Sequence, residues 1–170
     1  MIRKSVVFAS MTFAGVLLAS AIQVSSASEA GNAKLNDRGK MTTTSKRAQL
    51  HRLAVQVDVN DPAIMNLALN NVSNAIQHYA ELGQKVEIEL VAFGPGLHML
   101  RDDTSPVKAR IKSMSETMPE ISFSACGNTR DNMARSEAKE IPLLPQAKLT
   151  KSGVVRLMQL QEQGWSYLRP

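Results

Sequence analysis

Apolar and polar residues follow one another along residues 50–170 in two patterns, one typical of β-strands and one typical of α-helices. Short apolar runs predict strands at 53–57, 85–93, 119–126 and 165–169, with a weaker strand at 147–150. Between these runs, apolar residues recur at spacings of three and four, which predicts helices with one buried side. Because four or five strands alternate with helices, we predict an α/β fold whose mainly parallel sheet carries helices on both faces.

The first two predicted helices have clear apolar stripes, and the first also has end signals. Asp61 and Pro62 suit its start, since Asp caps a helix and Pro fits the first helical position. Gly83 suits its end. The side chains expected to be buried are Met65, Leu69, Val72, Ile76 and Tyr79 in the first helix and Val107, Ile111, Met114 and Met118 in the second.

The last two predicted helices rest on weaker patterns. A short polar helix is predicted at 130–140, with Asn128 or Thr129 as its cap, and Ser152 is predicted to cap the final helix. The final helix is expected to bury Val154, Val155, Met158 and Gln161.

The N-terminal part of the chain has the pattern of an export signal followed by a linker. Residues 1–27 combine a basic start, an uncharged apolar stretch and a small-residue ending, which predicts a signal peptide and a periplasmic protein with no membrane span after cleavage. An uncleaved membrane anchor is the alternative, because the apolar stretch approaches the length that spans a bilayer. Residues 28–49 lack apolar periodicity and predict a flexible polar tether, which leaves residues 50–170 as the domain.

The positive charge of the chain lies outside the predicted domain. The whole chain carries a formal net charge of +5, but residues 50–170 contain equal numbers of basic and acidic side chains. A neutral domain with few aromatic rings for base stacking is a poor nucleic-acid binder. We therefore expect no nucleic-acid partner.

Two loops follow predicted strands and contain residues that suit a functional site. The first is Gly94-Pro95-Gly96, and the second is Cys126-Gly127-Asn128-Thr129. Because the carboxyl ends of parallel strands meet at one edge of a sheet, we expect both loops at that edge.

Cys126 is the only cysteine of the chain. A thiol just before a helix faces unpaired N–H groups and the positive end of the helix dipole, which favour the thiolate. The alternative is a small buried side chain without reactivity, since free Cys is often buried. An internal dithiol cycle is excluded, whereas nucleophilic catalysis, an intermolecular disulfide and a persulfide carrier stay open.

The other polar side chains indicate no further chemistry. The three histidines match no zinc-site spacing, and only His98 is close enough to the first loop to approach Cys126. On the first helix, Asn74 is expected to hydrogen-bond a neighbouring loop, whereas Asn66 and Asn70 are expected to face solvent. The chain has neither a phosphate-binding loop nor a dinucleotide fingerprint, and we predict no metal and no cofactor.

Four segments in this order resemble the DsrE/DsrF-like family of sulfur-relay proteins, and look most like its exported single-domain branch. They are Leu69-Asn-Asn-Val-Ser-Asn74, Val91-Ala-Phe-Gly-Pro-Gly-Leu97, Phe123-Ser-Ala-Cys-Gly-Asn-Thr129 and Leu160-Gln-Glu-Gln-Gly-Trp-Ser-Tyr-Leu-Arg-Pro170. The resemblance covers residues 50–170.

The resemblance implies a three-layer α/β/α sandwich that forms homotrimers or homohexamers. It also implies that Cys126 carries sulfur as a persulfide between donor and acceptor proteins or small sulfur compounds, in the manner of a sulfurtransferase. The ligand-binding residues expected around it are Gly94, Pro95, Gly96, Asn128, Thr129, Asn74 and His98. The alternative function is an oligomeric binding module without catalysis, in which Cys126 serves as core packing.

Overall fold

Strands and helices alternate along residues 49–170, the part of the chain that the computed structural model describes. The strands are β1 (Leu50–Val57), β2 (Lys85–Ala92), β3 (Ile121–Cys126), β4 (Ala147–Thr150) and β5 (Ser166–Leu168). The helices are α1 (Pro62–Glu81), α2 (Lys108–Thr117), α3 (Gly127–Glu137) and α4 (Gly153–Glu162), and a 3-10 helix (Gly94–Leu100) follows β2.

The five strands form one parallel sheet in the order β4-β3-β2-β1-β5. The chain moves in one direction across the sheet from β1 to β4, and right-handed crossovers then place α1, α2 and α3 on one face. β5 returns to the far side of β1, which takes α4 to the opposite face. The predicted fold class, an α/β/α sandwich around a parallel sheet, is confirmed.

Each face of the sheet has its own apolar core. The larger core lies under α1, α2 and the 3-10 helix and includes Phe123 of β3. The smaller core lies under α4 and consists of Ala54, Val91, Leu157 and Leu160. The carboxyl ends of β2, β3 and β4, where the loops with the predicted site residues begin, lie at one edge between these two cores.

The first helix has the start, stripe and end that the sequence predicts. Asp61 Oδ1 accepts a hydrogen bond from the Ala63 N–H at 2.7 Å, and Pro62 occupies the first helical position. Gly83 follows the helix with a φ of +63°, a left-handed conformation that glycine adopts at little cost. The predicted stripes of α1 and α2 are buried or pack against the larger core.

The predicted buried stripe of α4 is wrong. Ser152 caps the helix through the Val155 N–H, as predicted, but the buried residues are Gly153, Leu157 and Leu160. Gln161 is exposed, and three large apolar side chains point outward. Their exposed fractions are 53% for Val154, 49% for Val155 and 53% for Met158.

Contacts at the first turn of α4 determine which side of that helix is buried. Gly153 packs so tightly against Phe93 that an added Cβ would lie 2.9 Å from the Phe93 Cβ. Arg156 lies over the sheet and pairs with Glu89 of β2. These two contacts orient the helix, and hydrophobic periodicity alone does not reveal either of them.

The predicted start of α3 is also wrong. The helix begins at Gly127 rather than at residue 130, so Asn128 and Thr129 lie in its first turn and Cys126 takes the capping position. A close backbone approach explains the early start, because an added Cβ on Gly127 would lie 3.1 Å from the Thr150 carbonyl oxygen. Glycine therefore lets the helix begin directly at the end of β3.

Asn66 and Asn70 do not simply face solvent as expected. Arg110 of α2 donates to Asn66 Oδ1 at 3.0 Å and to Asn70 Oδ1 at 2.6 Å, which ties α2 to α1. Asn74, the residue expected to reach a neighbour, is exposed.

The predicted signal peptide at 1–27 lies outside the described residues, as does the predicted tether at 28–49 apart from its last residue. Among residues 49–170, no helix combines the length and the apolar character needed to cross a lipid bilayer.

Candidate functional site

Cys126 lies at the carboxyl end of β3, where the strand passes directly into α3. Its φ of −71° and ψ of 117° are extended, so it occupies the capping position of the helix. Only 5% of the residue is exposed. Its side chain lies on the same face of the sheet as α4, because it alternates with Ala125 of the larger core.

Two helices begin beside the Cys126 sulfur and control its ionisation. Burial is the largest single influence and by itself raises the pKa of the thiol. The Thr129 hydroxyl and the backbone N–H groups of Gly153, Thr129 and Asn128 act in the opposite direction, since they donate to the thiolate. Together they outweigh burial, and the pKa of Cys126 lies below its ordinary value.

These donors act on the charged form of the sulfur. The neutral thiol accepts no capping hydrogen bond from the first turn of α3. A hydrogen bond to a charged acceptor is stronger than one to a neutral acceptor, so these donors stabilise the thiolate more than the thiol. The site is therefore arranged around a sulfur anion.

Thr129 connects the two loops that the sequence predicts at this edge. Its Oγ1 accepts a hydrogen bond from the Gly94 N–H at 3.0 Å, which leaves the hydroxyl hydrogen free to point at the Cys126 sulfur. Gly94 is one of the ligand-binding residues predicted around Cys126. In the structure it acts on the sulfur only through the Thr129 hydroxyl.

Asn128 holds the beginnings of α3 and α4 together. Its N–H donates to the Lys151 carbonyl at 3.1 Å, just before the Ser152 cap of α4. Because this N–H already donates to a carbonyl, Asn128 has the smallest effect among the groups that lower the pKa of Cys126. Its side chain is exposed.

Gly153 is a part of the site that sequence reasoning missed. It is the first residue of α4, and its N–H is one of the backbone groups that lower the pKa of Cys126. The sequence contains a signal for this position, because Ser152 is a recognisable helix cap and β4 ends at the same edge of the sheet as β3. The neighbouring positions of β3 and β4 in the sheet could not be deduced from periodicity.

An ion pair between the buried Glu89 and the half-buried Arg156 lies beneath α4, close to the site. Burial raises the pKa of Glu89, but hydrogen bonds from Arg156 and Ser124 outweigh this effect, so the pKa of the carboxyl is lowered and it stays charged. Ser124 Oγ donates to Glu89 Oε1 at 2.6 Å. Sequence reasoning missed this group as well, since Arg156 reaches Glu89 from 67 residues further along the chain.

The remaining residues of the predicted ligand-binding set lie elsewhere or have other contacts. An added Cβ on Gly96 would lie 2.3 Å from the Val57 carbonyl oxygen, so this glycine packs against the end of β1. Pro95 is exposed beside it. His98 Nδ1 lies 2.8 Å from Thr104 Oγ1 and has no hydrogen bond to Cys126. Asn74 is in the second half of α1, away from this edge.

A cleft of about 460 Å³ opens beside the first turns of α3 and α4, with Asn128, Lys151, Ser152 and Arg156 in its walls. A larger cleft, about 660 Å³, lies away from the sulfur, beside α2, and has mostly apolar walls. We regard the smaller cleft as the one relevant to chemistry because it borders the residues that surround Cys126. Within residues 49–170 no cluster of three or more His, Cys, Asp or Glu side chains is suited to a metal ion.

The arrangement supports nucleophilic chemistry at sulfur. It combines a thiol of lowered pKa with donors that stabilise a negative sulfur. The groups that donate to the sulfur are a hydroxyl and backbone amides, which cannot accept a proton at neutral pH. Thiolate formation is therefore an equilibrium property of the site rather than the work of a neighbouring base.

Comparison with known proteins extends the description of the fold but gives no function. No protein-family model matches the chain. No curated protein matches it either. The chain is similar to the solved structure of MTH1491, a protein of unknown function from Methanobacterium thermoautotrophicum, with a TM-score of 0.60 and 28% identity. The match covers 71% of this chain and 99% of that one.

Proposed function

We propose that the protein carries sulfur as a persulfide on Cys126, receiving it from a sulfur donor and passing it to an acceptor. The observation that carries the proposal is the convergence of two helix starts and the Thr129 hydroxyl on one thiol. Donors that stabilise a thiolate would also stabilise the terminal sulfur anion of a persulfide. The family motifs around Cys126 support the same function.

Both steps of this transfer are displacements at sulfur. The Cys126 thiolate attacks the sulfane sulfur of a donor such as thiosulfate, the new S–S bond forms as the S–S bond of the donor breaks, and sulfite leaves with the electron pair. An acceptor thiolate then attacks the terminal sulfur of the persulfide, and Cys126 leaves as a thiolate. Atoms and charges balance in each step without an added oxidant or reductant.

We also propose that the protein is periplasmic and belongs to the DsrE/DsrF-like family. The predicted signal peptide at 1–27 supports a periplasmic protein, and the four ordered motifs support membership of the DsrE/DsrF-like family. Donor and acceptor would then be small sulfur compounds or partner proteins of that compartment.

Intact-mass spectrometry tests the proposal directly. The purified protein, incubated with thiosulfate or a polysulfide and then desalted, should gain the mass of one sulfur atom on Cys126. A thiol reductant should remove the added mass, and Cys126→Ser should not acquire it. Failure of every sulfur donor to give an adduct, while iodoacetamide still alkylates Cys126, would contradict sulfur carriage.

A second candidate function follows from the low exposure of Cys126, which is only 5%. In this alternative the protein is a non-catalytic binding module and the thiol is core packing. The two functions predict different thiol chemistry. A packing thiol reacts with iodoacetamide only after denaturation and has a pKa at or above the free value, whereas a sulfur carrier reacts in the native protein.

We also propose that the protein is a homo-oligomer, a homotrimer or homohexamer. The outer side of α4 supports association, because Val154, Val155 and Met158 form a half-exposed apolar surface there. Glu162, at the end of α4, is the one charged residue among the exposed residues of this helix. An uncharged surface can pair with a copy of itself without like-charge repulsion.

A further inference from the structure

The position of α4 over the sheet depends on a two-pronged ion pair. Arg156 Nε donates to Glu89 Oε1 at 2.7 Å, and Arg156 Nη2 donates to Glu89 Oε2 at 2.6 Å. Two parallel hydrogen bonds fix both the distance and the orientation of the guanidinium. Glu89 is itself buried, with 5% exposure, and Ser124 holds it from the next strand.

This ion pair lies one helical turn from the Gly153 N–H. The backbone N–H of Arg156 donates to the Ser152 carbonyl at 2.9 Å, so the guanidinium and the first residue of α4 belong to one rigid turn. Glu89 is on β2, which is paired on both sides by β1 and β3. Phe93 limits movement of the turn at Gly153 itself. The sheet therefore holds the start of α4 at two points.

We propose that Glu89 and Arg156 are positioning residues for Cys126, which hold the first turn of α4 so that the Gly153 N–H is directed at the sulfur. This inference rests on the proposed function, in which Cys126 is the reacting thiol. An ion pair whose carboxylate is buried adds little net stability compared with apolar packing of the same size. The geometry that it fixes is then its main contribution.

A direct electrostatic effect of Glu89 on the sulfur would change the pKa of Cys126 in the opposite direction from a loss of positioning. By charge alone, loss of the Glu89 carboxylate would favour the thiolate and lower the pKa of Cys126. Loss of the position of α4 would remove a donor and raise that pKa. The charged side chains along the clefts beside the site are Glu89, Lys148, Lys151 and Arg156.

Two substitutions separate these effects. Arg156→Lys keeps the charge but loses the two-pronged geometry, and Glu89→Leu removes the charge and the acceptor together. Positioning predicts a higher thiol pKa in both variants, because the Gly153 N–H is no longer fixed. The measurement is the rate of iodoacetamide alkylation as a function of pH, which reports the single thiol of the chain without any sulfur donor. At a pH below the wild-type pKa, alkylation should slow by about threefold to tenfold, since one pKa unit is a factor of about ten in thiolate.

A surface ion pair provides the matched control. Arg52 and Glu87 form an exposed pair on β1 and β2, with side-chain exposures of 42% and 49%, and Arg52→Lys should leave the alkylation rate unchanged. An unchanged rate in Arg156→Lys, or a faster rate in a folded Glu89→Leu, would overturn the inference. If Glu89→Leu does not fold, as judged by circular dichroism, Arg156→Lys decides alone. A shifted thiol pKa together with no sulfur adduct in the wild type would sink sulfur carriage and leave the positioning role standing.

Discussion

At the scale of single residues, the lowered pKa of Cys126 comes from neutral donors rather than from a charged partner. Its pKa is lowered by the Thr129 hydroxyl and by backbone N–H groups against the opposing effect of burial. Of these groups, the Thr129 hydroxyl lowers the pKa most, and its oxygen also accepts a hydrogen bond from the Gly94 N–H. One side chain therefore joins the thiol to the loop that follows β2.

Thr129→Val tests this role, because it keeps the shape of the side chain and removes the hydroxyl. We expect a higher thiol pKa, a severalfold slower alkylation of Cys126 near neutral pH, and a loss of about 1 kcal/mol of stability from the unpaired Gly94 N–H. Alkylation rates across pH and urea unfolding measure the two effects. Thr104→Val, which removes the hydroxyl that contacts His98, should not change the alkylation rate. Equal rates for Thr129→Val and wild type would show that the hydroxyl does not act on the sulfur.

The sequence revealed the residues that are local to Cys126 but not those brought from a distance. Thr129 is three positions from the thiol, and Gly94 closely follows a neighbouring strand of a predictable parallel sheet. Gly153 and Arg156 come from a helix that crosses back over the sheet. Their proximity depends on strand order, which hydrophobic periodicity does not encode.

At the scale of elements, α3 is held at both of its ends by residues of the 3-10 helix region. These residues are Gly94, which begins the 3-10 helix, and Arg101, which directly follows it. The Gly94 N–H bonds to Thr129 at its start. At its end, Arg101 donates to Glu137 Oε2 at 2.9 Å and makes a two-pronged pair with Asp103. The Arg101 side chain is 1% exposed, so these carboxylates balance a buried charge. The helix that follows Cys126 is thereby held at its first turn and at its last residue.

The ion pairs of Arg101 predict a loss of stability in acid. The hydrogen bond from Arg101 lowers the pKa of Glu137 from 4.5 to about 2 and also holds the pKa of Asp103 well below its ordinary value. Because both carboxyls have lower pKa values in the folded state, their stabilising effect is complete above pH 4.5 and is lost as the pH falls toward 2. Thermal unfolding measured between these pH values should show a smaller decline in Glu137→Gln than in wild type. Glu87→Gln, in an exposed pair, should behave like wild type.

The errors in predicting helices share one physical cause. α1 has 20 residues, and its repeated apolar stripe and end signals fixed both its limits and its buried side. α3 and α4 have 11 and 10 residues, and contacts with other elements decide where α3 starts and which side of α4 is buried. Length alone is not the reason, because α2 also has 10 residues and its predicted stripe is buried or packs against the larger core. In α3 and α4 a close backbone approach or an ion pair outweighs the pattern of apolar residues.

At the scale of the whole molecule, the two faces of the sheet are covered unequally. Within residues 49–170, three helices and the 3-10 helix cover one face, whereas α4 alone covers the other and presents apolar side chains outward. This outer surface is the strongest structural support for the proposed oligomer. It also borders the cleft beside Cys126, since Val155 contributes to both.

Val155→Glu should weaken self-association, because each copy would bring a charge into an apolar contact. Sedimentation velocity over a range of concentrations should show an oligomer for the wild type and a shift to monomer for the variant. Leu82→Glu is the matched control, since Leu82 is 55% exposed at the end of α1 and should not affect association. A wild-type protein that stays monomeric at all concentrations would contradict the oligomer.

The dependence of Cys126 on α4 has a consequence for the newly made chain. During synthesis, Thr129 follows the cysteine almost at once, but Gly153 becomes available only later and must then dock across strands that were made first. Until that docking is complete, the thiol lacks one of its donors and has a more ordinary acidity. The lowered pKa of Cys126 is therefore complete only when α4 has docked, so the acidity of the thiol reports that the last helix is in place.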